Sequence, residues 1–263
     1  WQLLTRNPIF AMTAGMNLLL PPIILALPIL GAGEQLIDIQ AASKSPHFLL
    51  AGSLGIAAMF AALGPISCIP STAISREGRL FWISRTIPVK PARQLLAKLI
   101  FSVLVTLAGS LLVVLIVGPL LGLPPSIVWR GTGLGVLALV GSSALGLTVD
   151  ALWPRLEWDD PQKAMKGNVT VMVSLVIVGA LGYGLARLAM WWVGLGWSEA
   201  AVLQAMALTL AVVAMLSVRL LMRIGPTVYT PYGFQVQGRL PRAKTIGAVI
   251  GIVFVVVIGL FVA

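Results

Sequence analysis

The chain has 263 residues, of which 59% are hydrophobic and 10% charged, with a formal net charge of +10 and a mean hydropathy of +1.00. A water-solvated domain carries about 25% charged residues, so the composition excludes a soluble globule and makes the bilayer the solvent. The positive charge does not imply a nucleic-acid partner, because the basic residues sit at the ends of apolar runs rather than on a folded face with stacking aromatics.

A membrane helix needs about 20 mostly apolar residues. Seven such runs follow in order, over residues 9–30, 48–69, 95–119, 127–148, 169–193, 200–218 and 245–262. The expected fold is an all-α, polytopic transmembrane helix bundle of about seven spans, forming a single domain over residues 1–263. The chain opens at Trp1 without a Met and reads as the C-terminal part of a longer protein. Run one holds Pro21, Pro22 and Pro28, and run two has Pro65 near its end; each removes a backbone donor and favours a kink. His47 has no second His, Cys or carboxylate pair at ligand spacing, so no metal is expected there. Cys68 is the only cysteine, which leaves no intrachain disulfide.

A charge-dense block over residues 76–94 separates runs two and three. Ser75 is placed to cap a short helix and Glu77 to favour its first turn. Leu80, Ile83 and Ile87 recur at helical spacing, and Pro88 ends the pattern. Proline pushes the preceding Ile87 toward extended geometry, while Pro91 suits the first turn of the next span. A short interfacial helix tied tightly to two membrane helices is expected. The same basic, aromatic segment would also bind anionic headgroups, at about 1 kcal/mol per basic residue.

Gly131 and Gly135, Ser142 and Gly146, and Gly247 and Gly251 repeat at four-residue spacing, which puts small residues on one helix face and permits close packing. The connection after the fourth run holds Asp150, Glu157, Asp159 and Asp160, interleaved with Arg155, Lys163 and Lys166. Those carboxylates suit Mg²⁺ in a lipid-phosphate enzyme, or an internally paired solvated loop. In the fifth run Arg187 is the one charge well inside a span. It is a candidate pathway residue on desolvation grounds, or a side chain that snorkels to the interface. Trp191, Trp192 and Trp197, and Trp153 and Trp158, are placed as interfacial belts.

Counting Arg6, 15 of the 18 Lys and Arg residues fall in connections on one side, leaving Lys44, Arg130 and Arg187 for the other. The positive-inside rule then makes the N-terminus cytosolic and the C-terminus external. The chain contains no Gly-Lys pair, so it lacks the phosphate-cradling loop G-x-x-x-x-G-K-[ST]. ATP hydrolysis by that route would have to come from a partner.

The blocks Ser75-Arg76-Glu77-Gly78-Arg79-Leu80-Phe81-Trp82, Ile87-Pro88-Val89 and Leu95-Leu96-Ala97-Lys98-Leu99 resemble the signature of ATP-binding cassette (ABC) exporter permeases of the second type. Asp150, then Trp153-Pro154-Arg155-Leu156-Glu157-Trp158, Pro161, Lys163-Ala164 and Lys166 to Asn168, is similar to that family's next cytosolic segment. The resemblance covers residues 60–170. It implies a transmembrane permease subunit of the bacterial inner membrane that exports a substrate, is not itself an enzyme and binds no cofactor. ATP would be bound by a separate ABC ATPase subunit. A second permease copy or half and membrane lipids are its other implied partners. Arg76, Glu77, Gly78, Arg79, Phe81, Trp82, Arg85 and Pro88 would couple to the ATPase, with Asp150, Pro154, Trp158, Pro161 and Lys166 in the second cytosolic loop. Two alternatives stand beside it: a membrane-embedded lipid or isoprenoid-processing enzyme using the carboxylate cluster, and a noncatalytic membrane scaffold.

Overall fold

The structure, a computed structural model, describes residues 8–31, 40–41, 48–158 and 169–229. Seven helices of the described chain frame the site: α1 (Pro8–Leu30), α2 (Phe48–Ile66), the short α3 (Phe81–Thr86), α4 (Pro91–Leu120), α5 (Pro125–Leu152), α6 (Val169–Gly194) and α7 (Glu199–Ile224). No strand occurs among the described residues. The molecule is therefore an all-α membrane protein. Five of these helices, α2 and α4 to α7, are long and apolar enough to cross a bilayer. The α1 helix contains Pro21, Pro22 and Pro28 within its 23 residues. Expected run 245–262, together with Gly247 and Gly251, lies outside the described residues.

Local chemistry sets the helix ends. Pro91 occupies the first turn of α4, where its missing N–H costs nothing. Ser198 caps α7 by accepting from the Ala201 N–H at 3.3 Å, with Glu199 in the first turn, where a negative charge complements the helix dipole. Ile87 is extended (φ −65°, ψ 130°) and ends α3, as a residue before proline should.

The centre of the bundle is α5. Within its apolar window 72% of residues are buried, against 22–33% for the other four long helices. Lipid supplies little hydrophobic force between helices, so packing depends on close backbone approach and internal hydrogen bonds. A Cβ on Gly131 would lie 2.8 Å from Ile56, and one on Gly135 would lie 2.7 Å from Phe60. This glycine pair is the seam against α2, where Ile56, Phe60, Val114, Ile127 and Leu139 form one buried cluster. Several hydroxyls within the spans return to their own helix: Ser110 donates to Thr106 O at 2.9 Å, Thr148 to Ala144 O at 2.7 Å and Ser217 to Val213 O at 2.7 Å. Such local bonds hide polar groups in an apolar medium.

Candidate functional site

Two stretches are buried at every position, residues 69–78 and residues 141–151, and they lie against each other. The first is the N-terminal half of the charge-dense connection. The second is the last part of α5. Gly146 makes the approach possible, because a Cβ there would sit 2.8 Å from Ser71 Oγ. After α2 the chain turns through Cys68, whose φ is +56°, and then forms two 3-10 turns, Pro70–Thr72 and Ser75–Leu80.

A 3-10 turn, like any helix start, leaves backbone N–H groups without partners inside it. No side chain of the turn itself caps Ser75–Leu80. Asp150 does so from α5. The Ile74 N–H donates to Asp150 Oδ2 at 2.6 Å, the Ser75 N–H donates to the same oxygen at 3.2 Å, and the Ser75 hydroxyl donates to Asp150 Oδ1. Ser75 is thus no helix cap by its own side chain, as the sequence suggested; its hydroxyl is turned to a carboxylate 75 positions later. That hydroxyl also accepts from the Arg155 N–H at 2.9 Å.

The Trp158 indole N–H donates to Ser75 O at 2.9 Å, and its ring covers Gly78. Gly78 has φ +52° and ψ −133°, and a Cβ would fall 2.6 Å from the Trp158 ring. Trp158, expected in an interfacial belt, is instead the second clamp on this turn.

The remaining charges are also committed. Arg76 is buried and donates to Ile69 O at 2.9 Å and Thr72 O at 3.3 Å, neutralising carbonyls at the end of the first turn. Its Nη1 has no hydrogen-bond partner among the described residues. Glu77 is buried, pairs with the Lys98 ammonium of α4 and accepts from the Ser84 hydroxyl at 2.7 Å. Gln94 donates to Ser84 O at 3.0 Å and Val89 O at 3.1 Å, fixing α3 against the start of α4. Arg85 donates to Val228 O at 3.5 Å and lies 5.8 Å from the Phe81 ring centroid. Phe81 meets Tyr229 with ring centroids 5.2 Å apart. The short turn Gly225–Tyr229 after α7 therefore packs beneath α3.

Residues expected to face a partner divide sharply. Arg76, Glu77, Gly78 and Phe81 are buried, and Arg85 is half-buried. They hold the segment in place. Arg79, Trp82 and Pro88 are exposed, with Trp82 at 61%. Leu80, Ile83, Ile87, Val89 and Lys90 share that exposed surface. In the second loop Asp150 is buried, Pro154 and Trp158 are half-buried, and Glu157 is exposed; Pro161 and Lys166, with Asp159 and Asp160, lie outside the described residues. Arg187 is exposed on α6. It does not join the buried group.

Sequence reasoning missed Ser71, Thr170 and Tyr229, and it named Asp150 without its partners. Ser71 O accepts from the Thr170 hydroxyl at 2.9 Å, which fastens the start of α6 to the same turn. Tyr229 closes the site from α7. Asp150 was visible as a carboxylate at the end of an apolar run, but its partners lie 75 positions away and leave no periodic signal. Among the described residues no group of three or more His, Cys, Asp or Glu is placed to hold a metal ion. No protein-family model, curated protein or solved structure matches the chain.

Proposed function

We propose that the chain is the transmembrane permease subunit of an ATP-driven ABC exporter of about seven spans with its N-terminus in the cytosol, and that α3 is where a separate ATPase subunit pushes on it. The observation that carries this reading is the division of the charge-dense connection into two parts. Its root, residues 69–78, is buried and bonded to α4, α5 and α6, while α3 presents Trp82 and Ile83, flanked by Arg79 and Lys90, to the outside. An exposed apolar and basic helix on a buried, bonded root is suited to receive force from a partner. The same surface would suit headgroups, and one experiment separates the two.

Arg79→Ala combined with Trp82→Ala removes the largest exposed apolar side chain and a flanking charge of that surface and leaves Arg85, Phe81 and the buried root unchanged in sequence. Membrane insertion and co-purification of the ATPase subunit are measured separately. Loss of the ATPase with insertion unchanged is the expected result. Undiminished ATPase recovery would overturn the docking role of α3, and recovery of no ATPase with the unaltered chain would overturn the exporter reading. Of the four carboxylates of the enzyme alternative, Asp150 already takes three donors and Glu157 is exposed, while Asp159 and Asp160 lie outside the described residues; metal-dependent turnover lost in Asp159→Asn with Asp160→Asn would favour that alternative.

A further inference from the structure

We propose that Asp150 is a positioning residue that passes displacement of α3 into α5, so that the buried central helix moves with the surface helix; this rests on the exporter reading. A force on α3 has two outlets. It can bend the chain where α3 joins its root, or move the root. Gly78 is the one residue between positions 69 and 90 with a positive φ and is therefore the natural hinge. The hinge is clamped: the Trp158 ring lies over Gly78, and its N–H is bonded to Ser75 O. Displacement then reaches Ile74 and Ser75, whose backbone amides and hydroxyl all end on the one carboxylate.

Two of these donors are main-chain groups, so the carboxylate cannot stay behind by a change of rotamer at the root. From Asp150 the path enters residues 141–151, which are enclosed on all sides. Packed interiors transmit strain rather than absorb it. A parallel connection, through Arg85 to Val228 O and Phe81 to Tyr229, leads to the end of α7 and bypasses Asp150. Loss of Asp150 should weaken the coupling to α5 selectively, leaving the bonds from Arg155 and Trp158 to Ser75.

The test uses the full chain together with the ATPase subunit that co-purifies with it, in lipid nanodiscs and on a Cys68→Ser background. Spin labels replace Trp129 of α5, which is 80% exposed, and Leu27 of α1, which is 62% exposed. The label separation is read with and without ATP. The unaltered sequence should show an ATP-dependent shift, Asp150→Ala should reduce it to less than half with ATPase association retained, and Asp150→Asn should restore part of it because the amide oxygen still accepts from Ile74.

Ser75→Ala keeps both backbone donors and should give an intermediate shift. It decides the question if Asp150→Ala does not fold. Melting is followed in parallel, because if Asp150 only stabilised the fold, its loss would lower the melting temperature and leave the shift intact. A full shift in Asp150→Ala, or in Ser75→Ala where only that variant folds, overturns the proposal and spares the exporter reading. No ATPase association, or no shift, with Asp150 and Ser75 both in place overturns the exporter reading itself.

Discussion

Gly78 is required twice, once by its backbone and once by its neighbour. A φ of +52° with a ψ of −133° lies outside the left-handed helical region and costs an L-residue about 1–3 kcal/mol. The Trp158 ring adds a collision at 2.6 Å, and overpacking of this kind costs about 1–3 kcal/mol. Gly78→Ala should therefore lower stability by about 3 kcal/mol, read by thermal unfolding in detergent. On a Trp158→Leu background, which removes most of the collision, Gly78→Ala should cost a smaller amount, about 1–2 kcal/mol relative to Trp158→Leu alone, from the backbone. Equal losses on the two backgrounds would mean that the ring does not press on this turn. Half of this was legible in the sequence: the glycine stood inside a recognisable block, but nothing local said that a tryptophan 80 residues later lies on it. Ser75 misled for the same reason. Serine at the start of a helical pattern is usually its own cap, and here a long-range carboxylate supplies the cap instead.

Elements were more legible than their ends. The six expected runs that fall among the described residues all became helices, because about 20 apolar residues in lipid leave the backbone no other way to satisfy itself. The fourth run was expected to stop at residue 148, before the charge, whereas α5 continues to Leu152. Donors from the preceding connection satisfy Asp150 and let the helix run past it. In α3 the apolar stripe Leu80, Ile83 and Ile87 was visible, yet all three are exposed and Phe81 is the residue that turns inward. A six-residue helix next to a buried charge pair is positioned by that pair more than by its own periodicity. Glu77 is buried, and Lys98 reaches it from α4 with its side chain 19% exposed. Removing one partner of a buried pair leaves an uncompensated charge, whereas removing both is often nearly neutral. Lys98→Met should cost about 2–3 kcal/mol and loosen α3 from α4, while Glu77→Gln with Lys98→Met should regain most of it. A double-mutant cycle on unfolding in detergent measures this; additive losses would mean that the pair does not join the two helices.

At the scale of the molecule, the hydrogen bonds gather one end of the bundle. The end of α5, the starts of α4 and α6, α3 and the turn after α7 all meet around residues 69–78. Arg76, Arg79, Arg85, Lys90, Arg93, Lys98 and Arg155 belong to that end, whereas Arg130 and Arg187 do not. Arg130 precedes Asp150 by 20 positions on one helix, about 30 Å at 1.5 Å per residue. Arg187 follows Thr170 by 17 positions on α6, about 25 Å. The asymmetry counted along the sequence is thus an asymmetry of the fold, and on the proposed reading the positive-inside rule would put α3 in the cytosol. Single cysteines at Lys90, beside α3, and at Leu195, in the exposed turn between α6 and α7, test it on a Cys68→Ser background. A membrane-impermeant maleimide added outside intact cells should label Leu195→Cys and spare Lys90→Cys, which should react once the membrane is opened. Labelling of both from one side would contradict a bundle that sets them at opposite ends. The reversed pattern would leave the fold intact but put α3 beyond the reach of any cytosolic ATPase, and the exporter reading would fall with it.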